Sequence, residues 1–541
     1  MTIPRLTYGL LTVIVTLIVG AIYSPGFFGF WHGDDLPNLV RAYSQSQQQT
    51  LWSETLRLFF APVPSDGAFY RPMMMLSLAA NYAAFEANYA GWYLINLAVH
   101  LGNTALVALV VRRLALRCEC DAAIAAPLAA FFFGMSPILA EGVYWISARS
   151  DGWVTLLALA GVYMWAGTPR TMVGVSAFGL PLLIVFALGF KESAAVVPLQ
   201  ILLLAMAWPE RMSRSQRWAL ATTFVVAGLF LAWRAWLFGN AWHVYTPGPS
   251  SGASMHVRLW HSLLSLPPWW HAMTLATPVF AAAYWPIAII GGVGGFVAAR
   301  STQARLALSL LAASGGLALA TLLNLGGMSS AGEGGRLSYS PMAWLALALG
   351  LLMSTWPGAS ALRKRANTIA IWAIAAAALV GTDVLEHEMR RVGSAQFSFR
   401  ALTLAIPGWA QTHTGLTMLL IPENDGVVVL GRNAQGGIVL PPIQTEPYLH
   451  RVVPTLKSEV ELRQDQFCNG LAKRLELIRP RDADKATMDA IFLPAETVWP
   501  AHVACWRARE QRIVALTPPP MDSSCRTWLD SIRGDIAKCG D

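Results

Sequence analysis

The residues of this chain best suited to chemistry are Asp34 and Asp35, adjacent carboxylates in Trp31-His32-Gly33-Asp34-Asp35. They follow a long apolar run, Tyr8 to Phe30, and so stand at the mouth of a membrane span. An ionised Asp is strongly disfavoured in hydrocarbon, which puts the pair in water or in a polar cavity just outside it. Acids in such a place take a proton from a nucleophile, hold a metal, or mark the interface. A second set of ionisable residues falls at the ends of other apolar runs: Arg71, Glu141, Arg149, Asp151, Lys191, Glu192 and Arg336, with Tyr339 close behind. Asn96, His100 and Asn103 recur at helical spacing on one stripe. Ionisable groups at such depths face a water-filled cavity or pair with one another.

If all of these lie on one side of the membrane, Arg71, Arg149, Lys191 and Arg336 form a cationic pocket opposite Asp34-Asp35. That arrangement suits an anionic lipid-linked donor, whose phosphate the cations hold as charge develops on it in leaving. The carboxylate then takes the proton of an attacking hydroxyl. Each residue also has a local reading. Lys191 pairs with Glu192 in a tight turn, Arg149 pairs with Asp151 across a loop, and Arg336 anchors an interface. His100 with Asn96 bonds between helices, and Asp35 caps the next helix or orients Asp34.

The elements that must position these groups are membrane spans. Of 541 residues, 55% are hydrophobic and only 13% charged, about half the charged share of soluble domains. Apolar runs long enough to span, or nearly so, fall near 7–28, 91–111, 122–140, 151–167, 172–190, 193–208, 218–238, 275–299, 306–324, 338–355 and 367–384. The first has no small-residue cleavage site and reads as a retained signal-anchor. One set of loops carries Arg112, Arg113, Arg117, Arg170, Arg211, Arg214, Arg217, Arg300, Arg305 and Arg363-Lys364-Arg365. With Arg5 these mark the cytoplasmic side. Of the acids before residue 384, only Glu119, Asp121 and Glu210 share that side. The candidate site therefore faces outward. Two outer loops are long, 31–90 and 239–272. The first holds a helix-like stretch at 50–60 and a Met73-to-Phe85 run suited to an interfacial helix.

The tail, 385–541, differs in composition. From residue 384 onward 18 basic residues balance 18 acidic ones, so the net charge of +8 resides wholly in the membrane part. The charge is topological, and it is no signal of nucleic-acid binding. Short β-like runs at Leu416–Ile421 and Gly426–Leu430 flank a hairpin-grade turn, and Thr455–Gln464 reads as helix. Cys468, Cys505, Cys525 and Cys539 lie in a compartment that permits disulfides, with three pairings open. None forms a Cys-x-x-Cys pair, and Cys118 and Cys120 are expected to stay reduced. The fold class expected is mainly α: a polytopic bundle of about eleven spans (1–384) with a small extracytoplasmic α+β domain (385–541).

These residues resemble the GT-C membrane glycosyltransferases, and within them the branch similar to the transmembrane O-mannosyltransferases. Gly33-Asp34-Asp35 looks like the acidic motif of that family's first outer loop. Arg71-Pro72 with Leu76-Ser77, and Asn96-Leu97-Ala98-Val99-His100-Leu101-Gly102-Asn103, are similar to its second-span signature. Glu141 through Asp151 looks like its second outer loop, while Lys191-Glu192 and Arg336-Leu337-Ser338-Tyr339-Ser340-Pro341 match later patches. The likeness covers residues 30 to about 350. Two departures stand out: Gly335 replaces the acid expected before the arginine, with Glu333 close by, and the tail lacks tetratricopeptide repeats.

The resemblance implies a polyprenyl-phosphate-sugar donor, inversion at the anomeric carbon, and a base among Asp34 and Asp35. Arg71, Arg149, Lys191 and Arg336 would bind the donor phosphate, supported by His100, Glu141, Asp151, Glu192 and Tyr339. No cofactor is required: two carboxylates without a third acid or suitable His nearby disfavour a divalent metal without excluding it. The acceptor is an extracytoplasmic glycan, lipid or protein hydroxyl. The expected location is the bacterial inner membrane, with the amino terminus cytoplasmic and the tail periplasmic. The competing readings are a transporter, flippase or scaffold for lipid-linked sugars, and a polymerase or ligase using a diphosphate-linked glycan.

Overall fold

The computed structural model describes residues 5–29, 31, 35–62, 70–119, 122–167, 173–207, 212–239, 302–320 and 335–354, with strands and isolated positions between 382 and 516. The expected span at 275–299, most of that at 367–384, the loop after Gly239 and the helix expected over 455–464 lie outside the described residues. Two compact units are present: Met1–Phe27 with Asn38–Arg391, and Phe28–Pro37 with Val392–Asp541.

The first unit is helical. In order come α1 (Arg5–Tyr23), α2 (Asp35–Gln47, whose first residues belong to the second unit), α3 (Leu51–Arg57), α4 (Pro72–Phe85), α5 (Tyr89–Arg117), α6 (Ala125–Gly134), α7 (Ala140–Tyr144), α8 (Arg149–Trp165), α9 (Val173–Phe190), α10 (Val197–Ala205), α11 (Arg214–Phe238), α12 (Thr302–Ala320) and α13 (Tyr339–Ser354). Among the described residues four helices are long and apolar enough to cross a membrane: Gly9–Phe28, Tyr89–Arg117, Arg214–Phe238 and Arg336–Ser354. Shorter apolar helices lie between them. In α1, and in α11 beyond its first turns, most exposed side chains are apolar, among them Leu10, Leu17, Val225, Leu229 and Trp236. A helix with its backbone bonds closed internally and apolar groups outward is what hydrocarbon accepts.

Several boundaries depart from the sequence expectation for local reasons. The run at 122–140 is helical only to Gly134, because Ser136 precedes Pro137 and is held extended at φ −68°, ψ 114°. The run at 193–208 opens as a 3-10 turn over Glu192–Val196 before α10 begins. At the other extreme α11 starts earlier than expected, fixed by a capping box of Ser213 and Gln216 and closed by Gly239 in the left-handed region (φ 69°).

The centre of the bundle is α5, 29 residues long, roughly 43 Å at the rise of an α-helix. It packs against α1, α6, α8 and α13. At one end of α8, Arg113 and Arg117 of α5 donate to the carbonyls of Tyr163, Trp165, Ala166 and Gly167, and Gln216 joins them at Trp165. Arginines on the last carbonyls of a helix satisfy groups that its own ladder leaves open. Arg149 and Asp151 lie at the opposite end of the same helix.

In the second unit the described strands form one sheet in the order β3-β2-β1-β4-β5. They are β1 (Thr417–Ile421), β2 (Gly426–Arg432), β3 (Ile438–Val439), β4 (His502–Arg507) and β5 (Arg512–Leu516). β1 and β2 pair antiparallel across the expected turn, and β1 pairs parallel with β4, which requires a crossover. Cys505 on β4 is buried and disulfide-bonded. Cys468, Cys525 and Cys539 lie outside the described residues.

Close helix contact depends on Gly350: a Cβ there would stand 2.7 Å from Val111 and 2.9 Å from Ala129. Gly350→Val should lower stability by about 1–3 kcal/mol through overpacking, read as a fall in Tm in detergent. Gly228→Ala, where the space is open, should leave Tm unchanged or raise it.

Candidate functional site

Backbone geometry at Lys191 explains how two neighbouring residues serve two helices. α9 ends at Phe190, and Lys191 is extended, at φ −162° and ψ 141°. Successive side chains on extended backbone point opposite ways. Lys191 reaches α8, its Nζ donating to both carboxylate oxygens of Asp151 at 2.7 and 2.8 Å. Glu192 turns toward α4, accepting from Arg71 through Nη2 at 3.0 Å and Nε at 3.3 Å. The local Lys191–Glu192 and Arg149–Asp151 pairs conceivable from sequence are thus replaced by pairs between elements.

Each side of these bridges is built locally. Trp153 and Phe190 stack at 5.0 Å and 6°, which brings the first turn of α8 beside the end of α9. Gly189 makes room for Met73, whose Cγ a Cβ at that position would overlap. Arg71 is the N-cap of α4 and precedes Pro72, whose ring favours the first helical position.

A third pair joins α7 to the segment before α13. Glu141 is 2% exposed. Its Oε2 accepts the backbone N–H of Arg336 at 2.8 Å, and its Oε1 accepts the guanidinium. That guanidinium stacks on Trp145, 4.3 Å from the ring centroid. Of the four cations Arg336 is the most open, its side chain 31% exposed against 13% for Arg71 and 11% for Lys191.

Arg149 is buried at 1% exposure. It donates to the Ile146 carbonyl at 3.1 Å and to the Ser77 hydroxyl at 3.4 Å. With its amide oxygen turned to the guanidinium, Asn81 accepts from Arg149 at 2.8 and 3.1 Å. Ser77 and Asn81 are four apart on α4 and share one face.

His100 and Tyr339 tie the same region together. Both are buried, and the Tyr339 hydroxyl bonds His100 Nδ1. The other ring nitrogen, Nε2, lies 3.1 Å from the Gly134 carbonyl. A carbonyl only accepts, so Nε2 carries the proton and bonds there as donor. Gly142 admits the Tyr339 ring, which would stand 2.9 Å from a Cβ.

Asp35 belongs to the second unit, where it is buried and opens α2. An acid in the first turn suits the positive end of the helix dipole. Asp34 lies outside the described residues. Among the described residues no group of three or more His, Cys, Asp or Glu side chains is placed to hold a metal.

Sequence reasoning gave no role to Trp145 or Ser77, which it met only within motifs, and did not single out Asn81 or Tyr89. The i,i+4 spacing of Ser77 and Asn81 was a signal in reach; the stacking of Trp145 on a residue 191 positions later was not.

No protein-family model matches the chain, and no curated protein matches it. Among solved structures, the crystal structure of ArnT from Cupriavidus metallidurans bound to undecaprenyl phosphate is similar at 14% identity and a TM-score of 0.42. The match covers 75% of this chain and 72% of that one. The functional reading therefore rests on the chain's own residues.

Burial alone would push the Glu192 carboxyl up; the charge and hydrogen bonds of Arg71, with Lys191 beyond, outweigh it and hold it at about 2 against an ordinary 4.5. A depressed carboxyl contributes stability that is complete above its unfolded value and lost as pH falls toward its folded one. The Tm difference between wild type and Glu192→Gln should be constant above about pH 5 and shrink as pH drops from 4.5 toward 2. A difference that does not change across that window would contradict the pairing.

Proposed function

We propose that this protein is a membrane-embedded, inverting glycosyltransferase that moves one sugar from a polyprenyl-phosphate donor to a hydroxyl acceptor outside the cytoplasm. The observation that carries the reading is the set of three separate cation–carboxylate pairs, Arg71–Glu192, Lys191–Asp151 and Arg336–Glu141, at one end of the helical unit. Each joins residues far apart in sequence, and none is needed to close a helix. Cations held ready at the edge of a bundle suit an anionic ligand that arrives through the membrane.

In this reading the donor phosphate meets Arg336 first, the most open of the cations, with Lys191 and Arg71 behind it and Arg149 stiffening the wall. The acceptor oxygen attacks the anomeric carbon from the face opposite the phosphate. The carbon–oxygen bond to phosphate breaks, its electron pair leaves with the polyprenyl phosphate, and the acceptor proton passes to a carboxylate. Asp34 takes that role, with Asp35 supporting or sharing it. The guanidinium and ammonium groups stabilise the charge that gathers on the departing phosphate, a gain realised chiefly in the transition state. No divalent metal is required. The enzyme sits in a bacterial inner membrane with its tail domain in the periplasm.

The test is donor turnover by purified protein in nanodiscs against a panel of polyprenyl-phosphate sugars, with envelope extract as acceptor. Wild type should consume one donor and add one sugar mass to a product. Asp34→Asn should lower the rate roughly 10²–10⁴-fold while donor binding persists. Tight binding of donor with no turnover under any acceptor would favour a transporter or scaffold, and full activity in folded Asp34→Asn would remove the base assignment.

A further inference from the structure

One polar stripe of α5 reaches the segment that carries Glu141 and Trp145, two partners of Arg336. Tyr89, Asn96, His100 and Asn103 follow one another at spacings of seven, four and three residues, which keeps them on one helix face. The Tyr89 hydroxyl donates to the Tyr144 carbonyl at 2.8 Å. Asn96 Nδ2 donates to the carbonyls of Val143 at 3.1 Å and Trp145 at 3.3 Å. Both partners are acceptors, so the amide orientation is fixed by chemistry. Three consecutive carbonyls, 143 to 145, are thus held by two side chains of a neighbouring helix. Farther along, His100 holds Tyr339 and Asn103 Nδ2 donates to the Gly152 carbonyl at 3.0 Å.

The held backbone is the part that cradles the guanidinium. α7 supplies Glu141, Trp145 ends it, and Trp145 turns from the helix at φ −82°, ψ 109° into the next 3-10 turn. This turn is the kind of irregular backbone whose carbonyls need partners when buried. Without Asn96 the Val143 carbonyl loses its side-chain donor and the Trp145 carbonyl keeps the Ala148 N–H but loses its tie to α5, so the ring under Arg336 loses its register.

We propose that Asn96, assisted by Tyr89, is a positioning residue that sets Trp145 and Glu141 against Arg336 and thereby fixes the cation most open to an anionic ligand. The inference rests on the reading of Arg336 as a phosphate-binding group. Asn96 touches no substrate in this account; it acts through Arg336 alone. Its loss should therefore weaken donor binding and lower kcat together, and both effects should vanish where Arg336 is already absent.

The experiment is a double-mutant cycle on Asn96→Ala and Arg336→Ala, with binding of undecaprenyl phosphate to the full chain in nanodiscs as the readout. Asn96→Ala alone should weaken binding roughly tenfold, for two lost hydrogen bonds. In the Arg336→Ala background it should weaken it no further, because interacting residues are non-additive. Tyr89→Phe, which keeps the ring and removes one hydroxyl, should act in the same direction by a smaller factor and covers the case in which Asn96→Ala does not fold. Asn96→Ser, retaining one donor, should restore part of the loss. Hydrogen exchange in the same proteins reads the positioning without ligand: amides 143–148 should lose protection in Asn96→Ala and keep it in Arg336→Ala. Additive effects, or unchanged protection of 143–148, would overturn the positioning role. Unimpaired binding by Arg336→Ala would instead remove the phosphate-binding reading and this inference with it.

Discussion

A charge buried beside hydrocarbon has to be matched where it sits, and that requirement shapes one end of this helical bundle. Three carboxylates and three cations from distant parts of the sequence meet in pairs. Separating a buried pair by removing one member costs about 3–5 kcal/mol, more than most packing changes. The extended residue at Lys191, the glycine beneath Met73 and the proline after Arg71 serve this matching. So does the length of α5, whose polar stripe ties down the backbone around Glu141. The opposite end of α8 is closed by arginines on carbonyls, a structural task that needs no carboxylate.

On the proposed reading, the pairs also bear on how a site for an anion stays intact without one. A cluster of unpaired cations so close together would repel itself and lose its structure. With Glu192, Asp151 and Glu141 in position three of the four positive charges are matched, and those cations keep their geometry. Under the proposed function a phosphate would add to an organised set rather than assemble it, which would reduce the reorganisation that charge development otherwise demands. The differing exposure of the four cations divides the work. Arg336 is open and flat against Trp145, Lys191 and Arg71 stand partly covered, and Arg149 is sealed among Ser77, Asn81 and Ile146.

Much of this was legible in the sequence, and the limits have physical causes. Charge in a mostly apolar chain is conspicuous, so Arg71, Glu141, Arg149, Asp151, Lys191, Glu192 and Arg336 stood out by type and place alone. The partners did not. Sequence proximity suggested Lys191 with Glu192 and Arg149 with Asp151, whereas extended backbone at Lys191 sends adjacent side chains to different helices. The stripe Asn96, His100 and Asn103 was visible at helical spacing, but apart from the Tyr339 hydroxyl its targets are main-chain carbonyls, which carry no sequence signature. The hairpin over 417–432 followed from its turn, while the parallel pairing of β1 with β4 depends on a contact some 85 residues away. Span ends shifted wherever proline or a 3-10 turn cut an apolar run, at Pro137 and at Glu192–Val196.

The central claim is that the paired cations form the phosphate-binding end of the molecule. The most direct measurement is a structure of the full chain in nanodiscs with undecaprenyl phosphate bound, determined by electron cryomicroscopy. The account predicts the phosphate within about 3–4 Å of the Arg336 guanidinium, with Trp145 still beneath it and Glu141 still on its backbone N–H. A phosphate lodged instead beside Arg113 and Arg117 at the other end of α8, with Arg336 untouched, would contradict it.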